Sequence, residues 1–101
     1  MHLIEPYIQR IAELCKRHRV TSLAVFGSVL TDRFRPDSDV DLLVSFDTSE
    51  HEQWDYVGNF FDFQAALENL LGRPVDLVVE KALKNKYLIQ NLNRTKVKIY
   101  G

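Results

Sequence analysis

Residues 26–44 read FGSVLTDRFRPDSDVDLLV. A β-type run closes on Gly27-Ser28, a polar spacer (29–38) follows, and Asp39 and Asp41 flank Val40 where a second apolar run begins. Residues i and i+2 of a strand share a face, roughly 6.6–7 Å apart along the backbone. Asp39 and Asp41 therefore project side by side, and Val40, Leu42 and Val44 point the other way, into a core. A later run, PVDLVVE (74–80), carries Asp76 between Val75 and Leu77 with the same alternation. If its strand neighbours the Asp41 strand, three carboxylates meet on one wet face. Asp41 and Asp76, each interrupting an apolar strand, are expected to be half-buried, which is costly without a partner.

Two carboxylates about 4 Å apart repel by about 4 kcal/mol at an effective dielectric near ~20. A divalent cation removes that cost, and magnesium favours a few carboxylates together with water and substrate phosphate. Two such ions stabilise the attacking and leaving oxygens of an in-line phosphoryl displacement. On this chemistry Asp39 and Asp41 are metal ligands, and Asp76 holds the second ion and helps to deprotonate an acceptor hydroxyl. Gly27 lets backbone approach a ligand without a side chain in the way. Ser28 offers a hydroxyl, and its N–H opens a predicted short helix whose positive end suits phosphate. The bland alternative for Asp37-Ser38-Asp39 is a solvated turn. A calcium loop fits Asp37, Asp39 and Asp41, then fails at Leu42, where glycine is needed, and at Thr48, where a bidentate Glu is needed.

Outward from this stretch, Ile4, Ile8, Ile11 and Cys15 recur at helical spacing, which predicts a first helix over roughly 4–18 with Pro6 in its first turn. Thr21–Phe26 reads as a strand, Ser28 to about Arg33 as a short helix, and Val40–Phe46 as a strand apolar on both faces, as in the middle of a covered sheet. A broad stripe of Trp54, Val57, Phe60, Phe61, Leu67, Leu70 and Leu71 predicts a helix over about 51–71, stopped by Gly72 and Pro74. Pro74–Glu80 is a third strand, 82–93 a last helix, and Lys96–Tyr100 a short fourth strand. The order α-β-α-β-α-β-α-β, without hairpin signals, predicts an α/β (α+β) domain over 1–101, with helices packed on one small mixed sheet.

The chain has 101 residues, 46% of them hydrophobic, and its 13 basic and 14 acidic side chains nearly cancel to a formal charge of -1. That is one small domain with no bulk positive field for coating nucleic acid, so direct nucleic-acid binding is not expected. Cys15 is the single cysteine, which excludes a disulfide framework and suits a reducing, cytoplasmic setting. MHLIEPYIQR is no signal peptide, and no apolar run approaches the length of a membrane span.

Together, Gly27-Ser28, Asp39-Val40-Asp41 and Asp76 resemble the signature of the nucleotidyltransferase superfamily related to DNA polymerase β: Gly-Ser, a spacer of similar length, Asp-x-Asp, and a third acid on a later strand. The resemblance covers the whole chain, and its shortness is similar to the minimal nucleotidyltransferase (MNT) branch. It implies a polymerase β palm-like fold and Mg2+-dependent transfer of AMP from ATP. The acceptor it implies is a tyrosine of a helical HEPN-type ribonuclease toxin, for which the chain would be the antitoxin in a hetero-oligomer. By the same resemblance Gly27 and Ser28 hold the triphosphate, and Asp39, Asp41 and Asp76 the two metal ions. Family members often carry Ala-Arg-Gly after the Gly-Ser-x step. Here Leu30-Thr31-Asp32-Arg33 stands there, so Arg33 is a displaced phosphate contact. Two other readings remain open: an antitoxin that neutralises its partner by binding alone, and transfer to a small molecule held by a partner subunit.

Other residues read as structural. His2, His18 and His51 show no ligand spacing, and Lys16-Arg17-His18-Arg19 ends the first helix, where cations meet the helix dipole. Lys81, Lys84 and Lys86 read as a solvated face of the last helix. The aromatics of 51–71 exceed what one helical face buries, so Tyr56 or Phe63 is expected to be left over for a partner.

Overall fold

The structure is a computed structural model and describes residues 4–27, 39–47 and 55–101. Ser28, Arg33 and the short helix predicted there lie outside the described residues, as do His2, His51 and Trp54. A 3-10 turn over Glu5–Tyr7, with Pro6 at its start, leads into α1 (Ile8–Arg17). Strands β1 (Val20–Phe26) and β2 (Val40–Phe46) follow, then α2 (Tyr56–Leu71), β3 (Val75–Val79), α3 (Lys86–Thr95) and β4 (Val97–Tyr100).

The four strands form one mixed sheet in the order β3-β2-β1-β4. β2 and β3 run parallel, and β1 is antiparallel to both β2 and β4. The antiparallel β1–β2 pair has no tight-turn signal because its connection is long, running from Gly27 to Asp39. Helix α1 and α2 cover one face, where Ile11, Cys15, Phe63 and Leu67 close over Leu23, Val25, Val40, Leu42 and Val44, all of them fully buried. Among the described residues, the second face is covered in its middle by Leu92 of α3 on Ala24 and Leu43, with Phe26, Val78 and Leu83 around them. β2 is thus central and buried on both sides, as its continuous apolar reading predicts.

Caps set the helix boundaries: the starts of α2 and α3 move from the sequence reading, and the stop of α2 at Gly72 stays where it was expected. α2 begins at Tyr56 because the Asp55 carboxylate accepts from the Gly58 N–H at 2.9 Å. It ends where Gly72 takes the left-handed region at φ 69°, its N–H bonded to the Glu68 carbonyl at 2.8 Å. The last helix begins at Lys86, not 82, since the Asn85 side chain accepts from the N–H groups of Tyr87 and Leu88 at 3.0 and 3.2 Å. Each cap satisfies amides that the first turn leaves without a helical partner. Lys81 and Lys84 consequently lie in the segment before α3, exposed, with only Lys86 on the helix.

His18 is structural, as expected. Its carbonyl accepts from Asn59 Nδ2 at 2.7 Å, its Nδ1 pairs with Asn59 Oδ1 at 3.2 Å, and its ring lies 5.5 Å from that of Phe63. These contacts lace the end of α1 to α2. The same packing corrects the expectation for Phe63, which is fully buried, while Tyr56 is half-buried against Phe46. The large apolar side chains left exposed on α2 are Val57 and Phe61, 62% and 58% exposed.

Candidate active site

Parallel pairing of β2 with β3 sets Asp41 directly opposite Asp76. Register partners on adjacent strands share a face and stand about 4.8 Å apart. That face is the one bearing Leu43 and α3, because Val40, Leu42, Val75 and Leu77 occupy the other side and are buried there. Asp39 is the exposed residue immediately before β2. On the other flank, antiparallel pairing sets Phe26 opposite Asp41, so Gly27 leaves β1 beside the Asp41 carboxylate.

Gly27 has φ 78°, and a Cβ built there would lie 3.1 Å from Asp41 Cγ and 3.3 Å from Asp41 Cβ, with Oδ2 nearer still. Only a residue without a side chain lets the strand end turn in the left-handed region and pass the carboxylate this closely. Sequence reading assigned Gly27 to the ligand. Its contact with Asp41 was missed, and the available signal was a glycine placed directly at the end of a strand.

Burial differs between the two register partners. Asp41 is half-buried, but Asp76 is exposed, contrary to expectation. β3 is an edge strand, and the second-face cover centres on Ala24, Leu43 and Leu92, so water reaches Asp76. Among the described residues, no three acids or other donors are already gathered closely enough to grip an ion. Asp41 and Asp76 form the adjacent pair, and Asp39 stands at the mouth of the strand. Carboxylates brought to about 4 Å repel by about 4 kcal/mol per pair at moderate dielectric, so drawing all three together requires a cation. The donor set consists of carboxylate oxygens, that of Asp41 packed against the bare Gly27 backbone, and it suits a hard divalent ion that retains water and phosphate ligands.

The model of the nucleotidyltransferase domain matches residues 8–99. The chain belongs to the nucleotidyltransferase domain family. A Methanocaldococcus jannaschii relative, provisionally named a protein adenylyltransferase, is 38% identical over 79 residues, which is 78% of this chain and 76% of the relative. The protein adenylyltransferase MntA of Thermococcus cleftensis is 40% identical over 73 residues, covering 72% of this chain and 69% of its own. Family and relatives make this nucleotidyltransferase an enzyme that transfers AMP. A solved structure provisionally described as a minimal nucleotidyltransferase superposes with a TM-score of 0.75 at 34% identity, over 93% of this chain and 90% of that one. The MNT antitoxin solved in complex with a tri-AMPylated Shewanella oneidensis HEPN toxin shares the fold, with a TM-score of 0.64 at 18% identity over 96% and 71% of the two chains. Among the described residues, no helix is long and apolar enough to cross a membrane.

Proposed function

We propose that this nucleotidyltransferase transfers AMP from ATP to a tyrosine of a HEPN-type helical toxin, and that this modification makes it the antitoxin of the pair. The observation that carries the reading is the register of Asp41 against Asp76, with Gly27 pressed on the Asp41 carboxylate. Asp39, Asp41 and Asp76 would hold Mg2+, which when bound neutralises triphosphate charge and orients the phosphates. Gly27 presents bare backbone to the triphosphate, with Ser28 and Arg33 as its further contacts. The Asp76 carboxylate, open to water, accepts the proton of the tyrosine hydroxyl. The tyrosine oxygen then bonds to the α-phosphorus, the bond from that phosphorus to the bridging oxygen breaks, and pyrophosphate leaves with the electron pair. The curated relatives carry the name of this activity, and a structural neighbour is a complex with a modified toxin.

Silencing by binding alone has one observation in its favour, the exposed Val57 and Phe61 of α2. Co-expression with the toxin separates the two. Asp41→Ala, still folded and still bound to the toxin, is expected to lose rescue of growth. Full rescue by that variant would make occlusion the mechanism.

A further inference from the structure

The first residue of β3 is held from both sides. On one side the Val40 N–H donates to the Pro74 carbonyl at 3.0 Å, tying the entry of β3 to the start of β2. Backbone groups of successive strand residues alternate in direction, so the N–H and C=O of Val75 point away from β2, along the free edge of the sheet. There α2 supplies both partners. Glu68 Oε2 accepts from the Val75 N–H at 3.0 Å, and Gln64 Nε2 donates to the Val75 carbonyl at 2.9 Å. Gln64 and Glu68 are four residues apart on α2 and so share a face. The Glu68 carbonyl also accepts from the Gly72 N–H at 2.8 Å, so one residue anchors both ends of the short link between α2 and β3.

An edge strand is ordinarily the most mobile part of a sheet, its outer backbone groups being left to water. Here the next residue along the chain is Asp76, whose side chain is exposed and has no core packing to fix it. We infer that Gln64 and Glu68 are positioning residues that, by clamping the Val75 peptide, hold Asp76 in register with Asp41. The inference rests on the reading of Asp76 as a metal-holding carboxylate. The clamp works by donor and acceptor geometry, so it depends on hydrogen-bonding capacity and not on the Glu68 charge.

The test uses the full chain with a non-hydrolysable ATP analogue, titrated with Mn2+ and followed by loss of the free-ion EPR signal. Glu68→Ala is expected to raise the half-saturating Mn2+ concentration by about tenfold, the scale of losing an outer-shell support. Glu68→Gln keeps an acceptor oxygen and is expected to stay within about threefold of the wild type. Gln64→Glu sets an acceptor against the Val75 carbonyl and is expected to weaken Mn2+ binding as Glu68→Ala does. Exchange of the Val75 amide, read by NMR, is expected to quicken about tenfold in Glu68→Ala while the amides in the middle of β2 keep their protection. Asp76→Asn is measured alongside. If Asp76→Asn weakens Mn2+ binding but Glu68→Ala only lowers Tm, the residues are structural and the inference is overturned alone. If Asp76→Asn binds Mn2+ as the wild type does, the metal reading of Asp76 falls and takes the clamp's role with it.

Discussion

One hydrogen atom at Gly27 separates a working strand end from a blocked one. Gly27→Ala is expected to cost about 1–2 kcal/mol of stability from the left-handed backbone alone, a loss that thermal denaturation resolves. The larger effect falls on the site, because the new methyl displaces the Asp41 carboxylate from its place beside the strand end. AMP transfer is expected to fall by about 100-fold or more, since small misplacements of reacting groups cost on that scale. Cys15 gives a second residue-scale prediction. Burial on the sheet-facing side of α1 pushes its thiol from an ordinary 9.0 up to about 12. In that window the unfolded chain loses the proton that the folded chain keeps. The stabilisation is therefore complete below pH 9, and it is lost as pH rises towards 12. Alkylation in native buffer at neutral pH is expected to leave Cys15 untouched and to go to completion in denaturant, read by mass spectrometry.

At the scale of elements, the apolar run Val40–Phe46 announced a central strand because both of its faces are covered, and period-2 alternation separated Asp41 and Asp76 from the core on one reading of parity. The stop of α2 at Gly72 was legible, and what the pattern could not carry was where α2 and α3 begin. The stripe of α2 runs on before Tyr56 in hydrophobicity, yet one carboxylate at Asp55 sets where the helix starts. In the same way Asn85 moves the start of α3 by four residues from the expected 82. Such caps are single polar side chains among many, and their geometry exists only after folding. Asn85→Ala is expected to lower stability by about 1 kcal/mol and to leave AMP transfer near the wild-type level, because α3 meets the sheet through Leu92 and not through its first turn. Urea denaturation and a transfer assay check the two halves. The exposure of Asp76 was equally hidden: a strand reading gives its face, but not that β3 lies at the sheet edge.

For the whole molecule, the order β3-β2-β1-β4 explains why a chain this short assembles a site at all. Three neighbouring strands bring separate segments to one end of the sheet: the close of β1, the opening of β2 and the opening of β3. The pair Asp39-x-Asp41 lies within one of those segments and was visible in one dimension. The Gly27 contact and the Asp41–Asp76 register join different segments, and only the fold shows them. With α1 and α2 filling the opposite face, Asp41 and Asp76 lie on the α3 side, where the cover among the described residues centres on Ala24, Leu43 and Leu92. The central claim is that this end of the sheet moves a nucleotidyl group. It is tested most directly by incubating the protein, Mg2+ and the toxin with ATP labelled at the α-phosphate, and in parallel at the γ-phosphate. Label is expected on the toxin from the α-position only, and it is expected to fall by on the order of 10²–10³-fold in Asp41→Asn. Label arriving from the γ-position, or undiminished transfer by Asp41→Asn, would contradict the account.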